Sequence, residues 1–433
     1  MKKQIGGESM KKQIGKGRIV LRVLLGLLLS GALLVAAAVF VTGWLPVLRA
    51  RKKLNGIEAH QKRIEQIAVP ETVRIVALGE ATHGNREFQE LKKTVLAHLV
   101  ETGGVRAFAL EADFGEGLYI DAYIHGGDGT AEDAVRLLSY PIYHTESMVE
   151  LVRWMRDYND RASDAQKLSF YGIDLQNPPC SARYLIERTE DETAKEALLP
   201  LTEKKLSLSD PAVQNAFAAV KELQDTLSDP LAARAAENLM RCYEMYSTYG
   251  DDRGGLFAFR DRCMADTVAW IGEREAEKGN ARILLAAHND HIARNGFGGI
   301  DSMGSLLAER YGAAYMAIGT DYFRTDCNIP DGAGRKNHRF YSANPLAAQA
   351  RLLADGRYYL DFADVTERDG DVYRAVHSAA AMGDLGEDRY TPLNGLLMLV
   401  YPKLTRRTAV PAKLYDAMIL VDRATPLSLL DGK

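Results

Sequence analysis

Cysteine is scarce in this chain. There are four in 433 residues, Cys180, Cys242, Cys263 and Cys327, and no two are close enough to form a CxxC pair. That spacing excludes a thioredoxin-type motif and a clustered cysteine–zinc site. It leaves one or two disulfides in an exported protein, or buried free thiols, as alternatives. An excess of one charge is also missing: 54 basic residues face 58 acidic ones, for a net charge of -4. This gives no global attraction to nucleic acid, and none is expected as a partner. Zinc-finger spacing, a Walker loop and a GxGxxG after a strand are absent, so no nucleotide motif is present. GxSxG is absent too, which removes the usual serine-hydrolase elbow. What remains is 47% apolar and 26% charged, the balance of a globular protein with a sizeable core, in two or three ordinary domains or one large one.

One long hydrophobic run breaks the pattern. Residues 23–48, VLLGLLLSGALLVAAAVFVTGWLPVL, carry no charge and are long enough to cross a bilayer core as a helix. Trp44 sits near one end, where an interfacial aromatic belongs. Basic residues flank the run on both sides, more heavily before it (residues 1–22) than after it. This predicts a cytoplasmic tail at 1–22, a single-pass anchor at 23–48, a charged helical stalk at 49–70 and the main domain, 71–433, outside the cell membrane. A cleaved signal peptide is the alternative, but the apolar run continues past its small residues.

The rest alternates short apolar runs with amphipathic stretches. VRIVALG (73–79), VRAFALE (105–111), LSFYGID (168–174), ARILLAAH (281–288) and AAYMAIGTD (313–321) read as strands, with RYYLDF (357–362) and DAMILVD (416–422) after them. Nearly continuous apolarity implies strands covered on both faces. Segments 86–104 and 146–162 between them have helical spacing. The fold class is therefore α/β, a mainly parallel central sheet flanked by helices. Residues 190–278, rich in Ala, Leu, Glu and Lys, read as a helical insertion.

The strands end on polar residues. Glu80 and His83 follow the first, Glu111 ends the second, Asp174 the third and Asp321 the fifth. His288 ends the fourth, with His291 three residues on. In a parallel sheet these ends share the edge where ligands bind. A histidine beside carboxylates suits proton transfer from water. The His288/His291 pair suits polarising a carbonyl, protonating a leaving alkoxide or, with Glu111, holding a divalent metal. Arg86 and Lys92, on the helix after His83, are candidates to hold an anion, against the plainer reading of both as a solvated helix face. A non-catalytic site for haem or another ligand is the alternative to hydrolysis.

The motifs GEATHGNREF, LEAD, PIYHTESM, WMRDYN, GIDLQ and AHNDHIAR, in this order from about residue 70 onward, resemble the erythromycin esterase family. The resemblance implies an α/β fold with helical insertions and hydrolysis of an ester, with a macrolide lactone as one substrate class and antibiotic resistance as its setting. It implies His83 as general base, Glu80 as its neighbouring acid, Glu111 as a second essential acid and His288 and His291 as the later pair. Asp174, Tyr143, Arg86 and Asp321 complete the candidate set as substrate contacts. The macrolide-resistance enzymes are soluble, whereas this chain carries an apolar N-terminal run.

Overall fold

The computed structural model describes residues 4–431 except 204, 281, 297–298, 333, 369, 388–396 and 399. Its centre is a sheet built from β1 (Ile75–Glu80), β2 (Val105–Asp113), β3 (Ser169–Asp174), β4 (Arg282–His288), β5 (Tyr315–Asp331), β6 (Gly334–Tyr341), β7 (Arg357–Asp361) and β10 (Ala417–Ala424); β8 (Ala380–Gly383) and β9 (Arg406–Ala409) form a separate two-stranded ribbon. The spatial order is β3-β2-β4-β1-β5-β10-β7, with β6 hairpinned onto β5. Pairing is parallel from β3 through β10, and β7 and β6 pair antiparallel.

Both faces of the sheet are covered, which is why the strands read as continuous apolar runs. Val76, Leu78, Leu284 and Ala286 enter one core with the helices Arg86–Thr102 and Glu146–Asn159. Ile75, Ala77, Ile283, Leu285 and Ala287 enter the other with the helix Arg253–Glu277. Successive side chains alternate between the two, as the pleat requires. A third, smaller core lies among the helices Pro178–Ile186, Pro211–Gln224 and Pro230–Tyr249. The 190–278 region is helical, and it packs on the sheet through the long helix Arg253–Glu277 and on the helix Pro178–Ile186 through Pro230–Tyr249.

Two expectations change. Residues 51–70 are not a helical stalk: they form two short 3-10 turns whose Ile57, Ile64 and Ile67 are buried on the domain, and Lys62 bridges to Tyr359 of β7. Those three isoleucines, seven and three residues apart, supply apolar area that packing uses in preference to local helix formation. The fifth strand does not end at Asp321 but runs ten residues further, because it gains partners on both sides, β10 and β6.

The N-terminal helix Gln4–Val39 continues through a π turn, Phe40–Trp44, into Leu45–Ala50. Leu21–Ala50 is long and apolar enough to cross a membrane, and its most apolar window is unburied. All four cysteines are buried free thiols.

Candidate active site

The turn after β1 is locked by close approaches. Asn289 stitches this edge together, its amide bonding Thr320 N–H and C=O at 3.1 and 2.7 Å. A Cβ at Gly79 would lie 2.1 Å from Asn289 Oδ1, so only glycine leaves that amide room. Gly84 is equally tight against the Asn328 carbonyl, and its own carbonyl accepts from Asn328 and Leu427 N–H. The Asn85 side chain then ties the turn to the Asp326 and Thr425 carbonyls.

Glu80 is 1% exposed, and a carboxylate so placed requires partners. Its Oε2 takes the Lys92 ammonium, and its Oε1 accepts from His83 Nδ1 at 2.7 Å. Burial opposes the charge, but Lys92 and His83 outweigh it and hold the carboxyl at about 2. Because Nδ1 donates to Glu80, Nε2 is the basic nitrogen of His83. Burial lowers the affinity of this ring for a proton, but Glu80 and Glu111 together raise it by more, so its pKa stands above the usual 6.5.

β1 and β4 are in register, and Glu80 pairs with His288 across the ladder. The His83 and His288 rings lie 4.9 Å apart. The His288 main-chain N–H donates to Glu111 Oε2 at 2.8 Å, and its Nδ1 accepts the Asp290 N–H at 3.4 Å. The neutral ring therefore carries its proton on Nε2, which is buried without a hydrogen-bond partner among the described residues. Burial, helped by His83, drives its pKa to about 4 although Asp290 pulls the other way.

Arg260, from the helix Arg253–Glu277, joins the remaining acids. It donates to Glu111 at 2.8 Å and to both oxygens of Asp174 at 2.9 and 2.7 Å, and its Nη1 lies 3.1 Å from His291 Nε2. Burial disfavours charge on Glu111, but His291 and Arg260 reverse this and hold it well below the usual carboxylate range. Asp174 is lowered against burial by Arg260. His291 Nδ1 makes an oblique contact with Asp261 Oδ1 at 2.7 Å, and its Nε2 lies 3.3 Å from Glu111.

These groups line one cleft of about 890 Å³ at the C-terminal edge of the sheet. His83, Glu111, Tyr143, His288 and His291 face it. Glu80 stands behind His83, and Asp174 lies behind the cleft, fixing Arg260. Tyr143 donates its hydroxyl to the Glu111 carbonyl at 3.0 Å. Two candidates are elsewhere. Arg86 is on the exposed helix face and pairs with Glu90 at 3.5 Å. Asp321 is buried inside β5, accepting from Gly383 N–H and the Asn344 amide; burial raises it to about 7. Lys92 is no solvated residue but the buried counterion of Glu80.

The proposed metal set of His288, His291 and Glu111 does not suit a cation. Both nitrogens of His291 already face Asp261, Glu111 and Arg260, and the Arg260 guanidinium occupies Glu111. Among the described residues, His288, Asp290 and Asp384 bring ligand atoms within 4.8 Å of one another, although Arg407 pairs with Asp290.

Sequence reasoning missed Arg260, Asp261, Tyr140 and Asp384. A signal existed for Arg260: it shares a stripe with Met264, Val268 and Ile271, all buried. A charge in an apolar stripe needs a buried partner. Lys92 carries the same signal among Phe88, Val95 and Leu99.

A family model described as erythromycin esterase matches residues 100–424, a range that includes Glu111, His288 and His291 and begins after β1. Erythromycin esterase type II of Escherichia coli is 28% identical over 294 residues, 57% of this chain and 68% of its own length. YbfO of Bacillus subtilis (strain 168), a protein named as a hydrolase, is 25% identical over 405 residues, 82% of this chain and 84% of its own. The fold matches that of a solved succinoglycan biosynthesis protein (TM-score 0.68, 19% identity, 89% of this chain and 98% of the other). It also matches that of a mutant of the erythromycin esterase EreC in its open conformation (TM-score 0.56, 17% identity, 84% and 97%). With three quarters of its length matched by the family model and its sheet shared with solved relatives, this chain belongs to the erythromycin esterase family.

Proposed function

We propose that this protein is an ester hydrolase, held at the cell membrane by its N-terminal helix, in which His83 takes a proton from water. The observation that supports this best is the opposed state of two neighbouring rings. His83 is a base made stronger by Glu80, and His288 is a neutral ring with a free Nε2–H. Environments that push paired groups apart in this way define an acid–base assignment. Water attacks the ester carbonyl as its proton passes to His83 Nε2. His288 Nε2–H donates to the oxygen on which charge develops. The protonated His83, stabilised by Glu80, then returns the proton to the leaving alkoxide. Glu111 orients the His288 main chain, and Arg260 keeps Glu111 ionised and in place.

The substrate class is a small-molecule ester, with a macrolide lactone as the first candidate from the family and from the name of the Escherichia coli relative. The heavier basic flank before the helix supports a cytoplasmic N-terminus and an external domain. The test is hydrolysis by the full-length chain in detergent, on erythromycin and a panel of lactones and simple esters followed by mass spectrometry. A gain of one water that disappears in His83→Ala is expected; no turnover of any ester by the folded protein would overturn the reading. A second reading, a metal-assisted hydrolase, has the convergence of His288, Asp290 and Asp384 in its favour. It predicts stoichiometric metal and loss of activity with chelator.

A further inference from the structure

The end of the apolar helix is tied to the rim of the cleft. Thr42 Oγ1 donates to the Tyr401 hydroxyl at 3.0 Å, Trp44 Nε1 donates to the Val400 carbonyl at 3.2 Å, and Arg406 donates to the Gly43 carbonyl at 2.9 Å. The Trp44 and Tyr341 rings are 5.6 Å apart. Gly43 is buried here, and a Cβ on it would press on Tyr401 and Pro402 at 3.1 and 3.2 Å. The helix is therefore docked at a defined place.

That place can be set against a bilayer. The uncharged stretch between Arg22 and Trp44 rises about 30 Å as a helix, the thickness of the hydrocarbon core. Trp44 then lies at the boundary, and whatever touches Trp44 lies in the headgroup layer. Besides Tyr341 of β6, it touches Val400, which belongs to a segment with an unusual surface. Leu397, Val400 and Leu404 are 51%, 50% and 53% exposed, and outside the apolar helix only Leu199 is as exposed among the described large hydrophobic residues. Lys403 lies among them, Arg49 is in the last turn of the helix and Arg51 and Lys52 follow it, a mixture that suits an interface of acyl chains and headgroups. Leu404 also lines the cleft beside Asp384 and Glu387.

We propose that Leu397, Val400 and Leu404 rest in the leaflet from which the anchor emerges, and that the cleft takes an amphiphilic ester dissolved in that leaflet, past Leu404. The docking half rests on the helix being a membrane anchor, and the substrate half rests also on the ester-hydrolase reading. The continuity of this apolar patch with the membrane-length helix identifies the bilayer as its occupant. Substrate concentrates where the lipid is, and the site faces it.

The test uses the full chain in phosphatidylcholine vesicles. A polarity-sensitive dye is attached at Val400→Cys, the four native cysteines being buried. The control is Glu101→Cys, at the C-terminal end of the helix Arg86–Thr102 and so near the opposite edge of the sheet. Doxyl-labelled lipid should quench the dye at 400 and leave it bright at 101; equal brightness at both would overturn the docking. The Leu397→Asp/Val400→Asp variant should then lose on the order of tenfold in kcat/KM on a long-chain p-nitrophenyl ester dissolved in the vesicles. Its rate on water-soluble p-nitrophenyl acetate should be unchanged. Equal rates for variant and parent on both esters would overturn the substrate assignment. Failure of the parent to cleave either ester would remove the hydrolase reading and the substrate assignment with it, while the quenching result still decides the docking.

Discussion

At Glu80 two neighbours, Lys92 and His83, share one buried carboxylate, and the balance between them sets the chemistry of His83. His83→Ala should lower kcat/KM by about 10²–10⁴-fold, the range for loss of a general base, with an unchanged circular dichroism spectrum. The raised pKa of His83 means that its basic form is lost as pH falls, so the acidic limb of kcat/KM should have its midpoint above 6.5. Glu80→Gln removes the group that raises it most and should move that limb to lower pH while slowing the reaction. A limb that stays in place would dissociate Glu80 from His83. Lys92→Met removes the buried counterion of Glu80, and should cost about 3–5 kcal/mol in urea unfolding. The Glu80/His83 spacing was legible in the sequence because it sits at the end of an apolar run. Lys92 and Arg260 were not, because their ends lie on helices whose burial depends on distant packing; only a charge within an apolar stripe hinted at it.

The elements that bring these residues together are the parallel strands and the turns at their C-terminal edge. Each strand of the central group was visible as an unbroken apolar run, and convergence of Glu80, Glu111 and His288 follows from parallel pairing. The boundary of β5 was not visible, since Asp321 resembles a strand end and is in fact enclosed by Asn344 and the β8 main chain. The 51–70 segment misled for a related reason: its charges suggest a solvated helix, whereas three isoleucines pin it to the domain. At the turn, Gly79→Ala should cost about 1–3 kcal/mol, the range for overpacking, and should reduce activity by displacing Asn289 from its Thr320 bonds. Combined with Asn289→Ala its effect should be less than additive in thermal unfolding, because both changes act on one contact. Full additivity would contradict the packing described.

For the whole molecule, buried acids divide into two groups of opposite sign. Glu80, Glu111 and Asp174 have folded pKa values below the unfolded ones, so their contribution is present above about 4.5 and is lost as pH falls, Glu80 through about 2. Asp113, Glu116 and Asp321 are raised, the last two to about 7; their contribution is present at acid pH and is lost as pH rises through that value. Stability of the full chain in detergent should therefore peak on the acid side of neutrality and fall steeply below pH 4.5. Asp321→Asn should flatten the limb near pH 7. A Tm that rises steadily from pH 5 to 8 would contradict this division. The helical character of residues 190–278 was recognisable by composition, but the region's role was not, because the contribution of Arg260 and Asp261 to the cleft depends on how the helix Arg253–Glu277 lies across the sheet.

The central claim is that water, activated by His83, attacks the ester directly. The most direct measurement is a single turnover of the best ester from the panel in ¹⁸O-labelled water, with the protein analysed by mass spectrometry at each time point. The account predicts one ¹⁸O in the acid product, no acyl adduct on the protein at any time, and product formation slowed by about 10²–10⁴-fold with His83→Ala. An acyl adduct on any side chain, or undiminished turnover by His83→Ala, would contradict it.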